Sequence, residues 1–312
     1  MAAVAGRRFG ILERVGIGKG NKGQSPYRDK FVAWIWIGPA VVFVAVFLVW
    51  PVLNTIWLSF FNSDSSEFVA LKNFKTIFTD PTMLTVLRNN LLWLVLGTAA
   101  TVFLGLVIAV LADRVRIESV AKAAIFIPMA ISFVGAGVIW DFMYAYANSN
   151  QQQIGLLNAI VTRLGFPPQA WLINSPGNNI ALIVIYVWIW TGFCMVILSA
   201  ALKSIPADIL EAARVDGANE LAIFFRVTVP MIMPTIVVVA TTMVINLLKI
   251  FDILYVTTSG NYGTNVIALQ YVQELFKFNN FGLASALAVV LLAAIIPIMY
   301  FNIKRFRTEG QR

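Results

Sequence analysis

Apolar residues in this chain come in long unbroken runs, not in the three-and-four spacing of a half-buried helix. About 20 consecutive apolar residues are needed to cross a hydrocarbon core about 30 Å thick. Six stretches meet that length, at residues 31–60, 91–111, 123–145, 180–202, 231–257 and 281–303. The pattern predicts an all-α integral membrane protein with six transmembrane helices. Proline falls inside several runs, at Pro39, Pro51, Pro128, Pro234 and Pro297. Each removes a helix hydrogen bond and bends its segment. In lipid, that is tolerated where neighbouring helices or a wet cavity satisfy the freed carbonyls.

The polar stretches between the runs orient them. With the N-terminus inside, seven Lys and Arg lie in the tail up to Lys30 and three follow the second run (Arg114, Arg116, Lys122). Three follow the fourth run (Lys203, Arg214, Arg226) and four close the chain (Lys304, Arg305, Arg307, Arg312). Only Lys72, Lys75, Arg88, Arg163 and Lys277 fall outside, and Lys249 sits within the fifth run. This asymmetry predicts that both termini face the cytoplasm. The chain then divides into a basic tail at 1–30, a membrane domain at 31–303 containing a cytoplasmic loop at 203–230, and a short tail at 304–312.

Composition narrows the chemistry. Hydrophobic residues make up 59% of the 312 and charged residues 12%, with a mean hydropathy of +0.81, against about 25% charge in soluble domains. There is no histidine, and the single cysteine, Cys194, lies in an apolar run and reads as a packing residue. Zinc, a catalytic histidine and a structural disulfide are therefore not expected, and no cofactor is implied. The net charge of +8 reflects basic flanks of spans rather than nucleic-acid binding. The first thirty residues read as a cytoplasmic tail, not a removed signal. The glycine run at 18–23 matches a dinucleotide fingerprint by letters only, since no strand precedes it and no helix-forming run follows.

One charged, helix-forming patch interrupts the apolar runs. Ser204 can cap a helix whose first turn suits Pro206. Asp208 complements the positive end, and Ile209, Leu210, Ala212 and Ala213 give a small apolar surface. Gly217, after Asp216, can turn the chain with positive φ. Asn219 can cap a second short helix, residues 220–226, which carries Phe224 and Phe225. Pro230 then leads into the fifth run. Two short helices about a glycine elbow have two physical uses. They can lie on the bilayer, or they can dock in a partner's groove.

The letters favour docking. Glu211-Ala212-Ala213, three residues, Gly217, nine residues, then Val227-x-Val229-Pro230 resembles the EAA signature of permease subunits of binding-protein-dependent ATP-binding-cassette importers, with valines where Ile and Leu are usual. Further likenesses at "FVALKNFKTIFTD", "IGLLNAIVTRLGF" and "FDILYVTTSGNYGTN" extend over about residues 31–305 and point to the carbohydrate group. "LINSPGNNIALI" leans towards the alpha-glucoside subgroup. The resemblance implies the type I importer permease fold and no enzyme activity of its own. It implies two ATPase subunits, a second permease, an external solute-binding protein and the lipid bilayer as partners. It also implies a coupling role for Ser204, Glu211, Ala212, Ala213, Asp216, Gly217, Phe224, Phe225 and Pro230. Glu211 can equally pair with Arg214 within its own helix.

For the path through the membrane, Asn246, Lys249 and Asp252 repeat at three-residue spacing and would share a helical stripe. A lysine at bilayer centre costs about 2.5–3.5 kcal/mol, so it should face protein, water or Asp252. Tyr186, Trp188 and Trp190 could offer rings to a sugar's C–H face. A structural Lys249–Asp252 pair, and tryptophans that only pack or anchor, are the alternatives. The rival function is an ion-coupled transporter or channel using the same intramembrane charges, which leaves the elbow without a purpose. A membrane-embedded enzyme is a third class and lacks a nucleophile–base pair.

Overall fold

The computed structural model describes residues 26–113, 115–148 and 151–309. The tail before residue 26 with its glycine run, Arg114 and Arg312 lie outside the described residues. The described residues divide between Asn54 and Thr55 into two compact units. The first holds helix Pro26–Val44, the wider turn Ala45–Val49 and the beginning of helix Trp50–Leu58. The stretch Trp34–Leu58 is long and apolar enough to cross a membrane.

The second unit is helical, with one isolated bridge between Phe61 and Phe68 among the described residues. Helices Pro81–Ala112, Gly177–Lys203, Glu220–Thr257 and Phe281–Tyr300 also have spanning length and apolarity. They correspond to the second, fourth, fifth and sixth runs of the sequence. The third run is not one straight helix. It is a pair, Glu118–Ala130 and Phe133–Met143, bent by 100°. The described residues therefore hold five spans, or six if the bent pair is counted as one.

The bend has a local cause. Pro128 lies in a tight turn, Ile127–Ala130, where its missing N–H already breaks the ladder. Ile131 is extended, and Ser132 starts a new helix by accepting a hydrogen bond from Gly135 N at 3.0 Å. Pro39, Pro234 and Pro297 lie inside continuous helices, and two other prolines are absorbed by looser winding. Wide turns at Ala45–Val49 and Phe224–Thr228 stand just before Pro51 and Pro230. A proline ring collides with the carbonyl four residues back. Those carbonyls, of Phe47 and Arg226, lie inside the wide turns, where the looser winding makes room.

The fourth span is the hub. It is apolar all round and buried along most of its length, as expected for a helix surrounded by others. Leu182, Ile185, Tyr186, Ile189, Met195 and Leu198 pack with Trp93 of the second span and Met243 and Leu247 of the fifth. A smaller cluster joins Ile77, Met83 and Val86 to Ile267, Leu283 and Leu287.

Small residues bring the backbones together, as in other membrane bundles. A Cβ added to Gly105 would fall 2.5 Å from Cys194 Cβ and 3.0 Å from Met195 N. Cys194 is buried there and is a packing residue, as its apolar run predicts. At Gly97 the nearest atoms are the flexible end of Leu247, at 3.0 Å. Gly105→Ala is therefore expected to lower the melting temperature of the purified protein in detergent, with an overpacking cost of about 1–3 kcal/mol. Gly97→Ala should cost less, because Leu247 can turn aside. Equal losses at the two sites would contradict the packing described.

Candidate coupling site

The loop between the fourth and fifth spans begins where Lys203 ends its helix. Ser204 does not start the next helix. It closes the previous one, with its N–H donating to Ala200 O and its Oγ donating to Ala201 O at 2.7 Å. Pro206 occupies the cap position of helix Ala207–Val215 in an extended conformation, because a proline cannot continue the preceding helix. Asp208 lies in the first turn and Arg214 in the last, both favourable to the helix dipole.

The elbow is a complete glycine stop. Gly217 has φ +83°, Gly217 N donates to Arg214 O, and Ala218 N donates to Ala213 O at 3.1 Å. These are the two bonds of a Schellman motif, which needs a left-handed residue at this position. A side chain at Gly217 would meet nothing within 4 Å, so the demand for glycine is one of backbone angle alone. Asn219 then accepts from Ala222 N at 2.8 Å and starts the second limb.

That limb is not a free short helix. Glu220–Ile223 runs through the wide turn Phe224–Thr228 into Val229–Leu248 without a break, so the elbow is the beginning of the fifth span. Nor does Arg214 pair with Glu211. Its Nε donates to Glu220 Oε1 at 2.9 Å, across the elbow, because the Gly217 turn folds Glu220 back within reach. Glu220 also raises the affinity of the Arg214 guanidinium for its proton. Both side chains are exposed, so solvent screens the pair and it adds little to stability.

Glu211, Ala212, Asp216 and Gly217 are exposed, and Ala213 and Phe224 are half-buried. Phe224 meets Phe225 edge-on at 5.1 Å. Ile223 is buried, which roots the limb. Val215 is 87% exposed, Leu221 71% and Phe225 66%. Three large apolar side chains thus project around a rigid polar turn.

The other candidates lie further into the bundle. The three-residue stripe of Asn246, Lys249 and Asp252 does not form. The helix stops at Leu248, residues 249–251 are irregular, and a new helix starts at Asp252. Asn246 Nδ2 donates to Thr242 O at 3.1 Å, Lys249 is exposed and Asp252 is half-buried. Among the described residues no ion pair joins Lys249 to Asp252. The aromatic trio divides. Tyr186 is fully buried, with its hydroxyl 3.5 Å from Met243 O, and its ring centroid lies 6.2 Å from that of Trp190. Trp188 points elsewhere and meets Trp140 edge-on at 5.8 Å.

Residues 154–308 match the family described as binding-protein-dependent transport system inner membrane component. The osmoprotective compounds uptake permease protein GgtC of Synechocystis sp. is 58% identical over 275 residues, covering 88% of this chain and 99% of the relative. The chain belongs to this family. The alpha-glucoside transport system permease protein AglF of Rhizobium meliloti is 43% identical to the permease over 306 residues, covering 96% and 91% of the two chains. The fold of this chain resembles that in the crystal structure of a bacterial alginate ABC transporter in complex with alginate pentasaccharide-bound periplasmic protein. The TM-score is 0.70 at 22% identity, over 88% of this chain and 93% of the other. The permease is thus a multi-pass inner-membrane subunit of an ABC importer, and the relatives favour this reading over an ion-coupled transporter or channel.

Sequence reasoning missed a polar network at the far end of the permease's bundle. Asn89 donates to Gly263 O and Asn265 O at 2.7 and 2.9 Å, and Asn178 donates to Tyr262 O at 2.8 Å. These amides hold a loop in which Ser259, Gly260, Tyr262 and Gly263 all have positive φ. The signal in the chain was two Asn–Asn pairs, at 89–90 and 178–179, each near one end of a span.

The elbow geometry makes a graded prediction for substitutions. Gly217→Val forces a branched residue into left-handed space, at about 1–2 kcal/mol. Gly217→Asn should be tolerated better, since Asn visits that region routinely. Asn219→Ala removes a cap worth about 1 kcal/mol. Hydrogen exchange at the amides of Ala218 and Ala222 should quicken with Val and with N219A, and much less with Gly217→Asn.

Proposed function

We propose that the permease forms one half of the pore of an ATP-driven carbohydrate importer, of the kind that carries alpha-glucosides, and that residues 203–230 couple it to an ATPase subunit. The names of the relatives support the substrate class, AglF above all. In this reading the complex holds two ATPase subunits, a second permease and an external solute-binding protein. The crystal structure with a bound periplasmic protein supports the last of these. Residues 1–30 and 304–312 are cytoplasmic tails, 31–303 form the membrane domain, and both termini face the cytoplasm, a reading that the uneven spread of basic residues supports.

The observation that carries the coupling role is the exposed trio Val215, Leu221 and Phe225 around the Gly217 stop. Large apolar side chains on a rigid polar turn have the form of a knob for a groove. Ala212 and Ala213 permit close approach beside it. Glu211 and Asp216 offer carboxylates for polar contacts, Phe224 and Pro230 set the limb's direction, and Ser204 ends the fourth span so that the knob follows at once. ATP binding closes the ATPase dimer, the knob moves with it, and the attached spans expose the path to each side in turn.

Along the path, Asn246, Lys249 and Asp252 gather around the break in the fifth span and would offer donors and acceptors to sugar hydroxyls. Irregular backbone at membrane depth is stable where it lines a cavity or is buried in protein, which supports a pathway there. Trp190 would face the sugar's C–H surface, with Trp188 held apart against Trp140. Among the described residues Trp190 Nε1 has no hydrogen-bond partner, a cost of about 1–3 kcal/mol that a hydroxyl could relieve. Tyr186, buried against Met243, would act by supporting Trp190.

A photo-crosslinking residue at Val215 or Phe225 in the complete complex is expected to yield an adduct with an ATPase subunit. Hydrolysis in the same preparation should rise when binding protein loaded with an alpha-glucoside is added. Adducts with lipid alone would overturn the coupling role, and stimulation by non-carbohydrate ligands alone would overturn the substrate class.

A further inference from the structure

At the coupling end of the bundle a polar cluster joins segments far apart in sequence. Lys122 Nζ donates to Asp113, to Ser199 Oγ and, at 2.6 Å, to Glu118 Oε1. Ser199 Oγ donates to Asp113 Oδ1 at 2.7 Å, and Lys203 Nζ donates to Glu118. Asp113 caps the C-terminal end of the second span. Glu118 and Lys122 lie on the first half of the bent third span. Ser199 and Lys203 occupy the last turns of the fourth span, immediately before the elbow.

Three features give this cluster more weight than a surface ion pair. The Lys122 and Asp113 side chains are only 16% and 19% exposed, so solvent screens them weakly. Asp113 stands at a helix C-terminus, where the dipole disfavours a carboxylate, and Lys122 supplies the charge that holds it there. The cluster is also reinforced two turns earlier in the fourth span. A Cβ on Gly192 would fall 2.5 Å from Ile125 O and 2.8 Å from Phe126 Cα, so the two backbones are in direct contact. The first half of the third span is thus fixed to the fourth span at two points.

We infer that Lys122 is a positioning residue of the transport cycle: it pins the second and third spans to the last turns of the fourth, so that displacement of the elbow moves all three together. This rests on the coupling role proposed for residues 203–230. The tie stays closed throughout the cycle. Without it the fourth span could move while the second and third lag, and ATP would be hydrolysed without import.

The test is made on the complete complex in proteoliposomes, with uptake and hydrolysis measured together. Lys122→Gln should lower the number of substrate molecules imported per ATP about two- to thirty-fold, the range found for substitutions along a coupling network. The ATPase subunits should still co-purify, and Lys122→Arg should restore the ratio. An unchanged ratio in Lys122→Gln would overturn the inference. So would an equal loss in both variants accompanied by a fall in melting temperature, which marks a general structural role. A second arm places cysteines at Asp113 and Ser199 in a Cys194→Ala background. Removing Asp113 and Ser199 opens the tie, so import per ATP that is low in the reduced pair and rises on oxidation supports a permanently closed tie, and import that does not rise on oxidation overturns it. Failure of the ATPase subunits to co-purify with the unaltered chain would instead sink the coupling role itself.

Discussion

The close packing of the fourth span is the constraint on which the rest of the structure depends. In hydrocarbon there is no water to fill gaps or to pair with exposed backbone, and helices associate chiefly through van der Waals contact. Gly105 against Cys194 and Gly192 against the backbone of Ile125 and Phe126 are contacts that no larger residue permits. They make Gly177–Lys203 a rod gripped along its length by its neighbours. The amides at the far end and the Lys122 cluster at the coupling end hold the same rod by polar contacts. A rod held in this way transmits a displacement rather than absorbing it.

Against that rod, the breaks in neighbouring spans are distinctive. The third span folds by 100° after Pro128, and the fifth stops at Leu248 and restarts at Asp252. Each break frees backbone groups that only protein or water can satisfy. The elbow lies outside the membrane runs and is capped on both sides. Two backbone bonds close it around Gly217, and Asn219 opens the next limb. The permease therefore has two interrupted helices beside the rod, and a capped elbow that runs straight into the fifth span.

How much of this was legible follows from how local each determinant is. The apolar runs were readable because spanning length is a local property. Gly217 and Asn219 were readable because left-handed turns and caps select residue types within a few positions. Ser204 misled, since a serine between two helices can close one as well as open the next. The Glu211–Arg214 spacing misled because it assumed that nothing beyond the helix competes, whereas the elbow returns Glu220 to Arg214. The stripe of Asn246, Lys249 and Asp252 assumed an unbroken helix, and no proline or glycine marks residues 249–251. The Lys122 cluster could not be read at all, because Asp113 and Ser199 are 86 positions apart and only the packing of the spans brings them together.

In the proposed cycle the elbow and the fourth span move as a single body. Spin labels at Val215 and Val196, both exposed, in a Cys194→Ala background would measure this directly by pulsed dipolar spectroscopy on the intact complex. One narrow distance, the same without nucleotide and with ATP trapped, is the predicted result. A distance that shifts or splits between the two states would mean that the elbow swings free of the span, and would contradict the account.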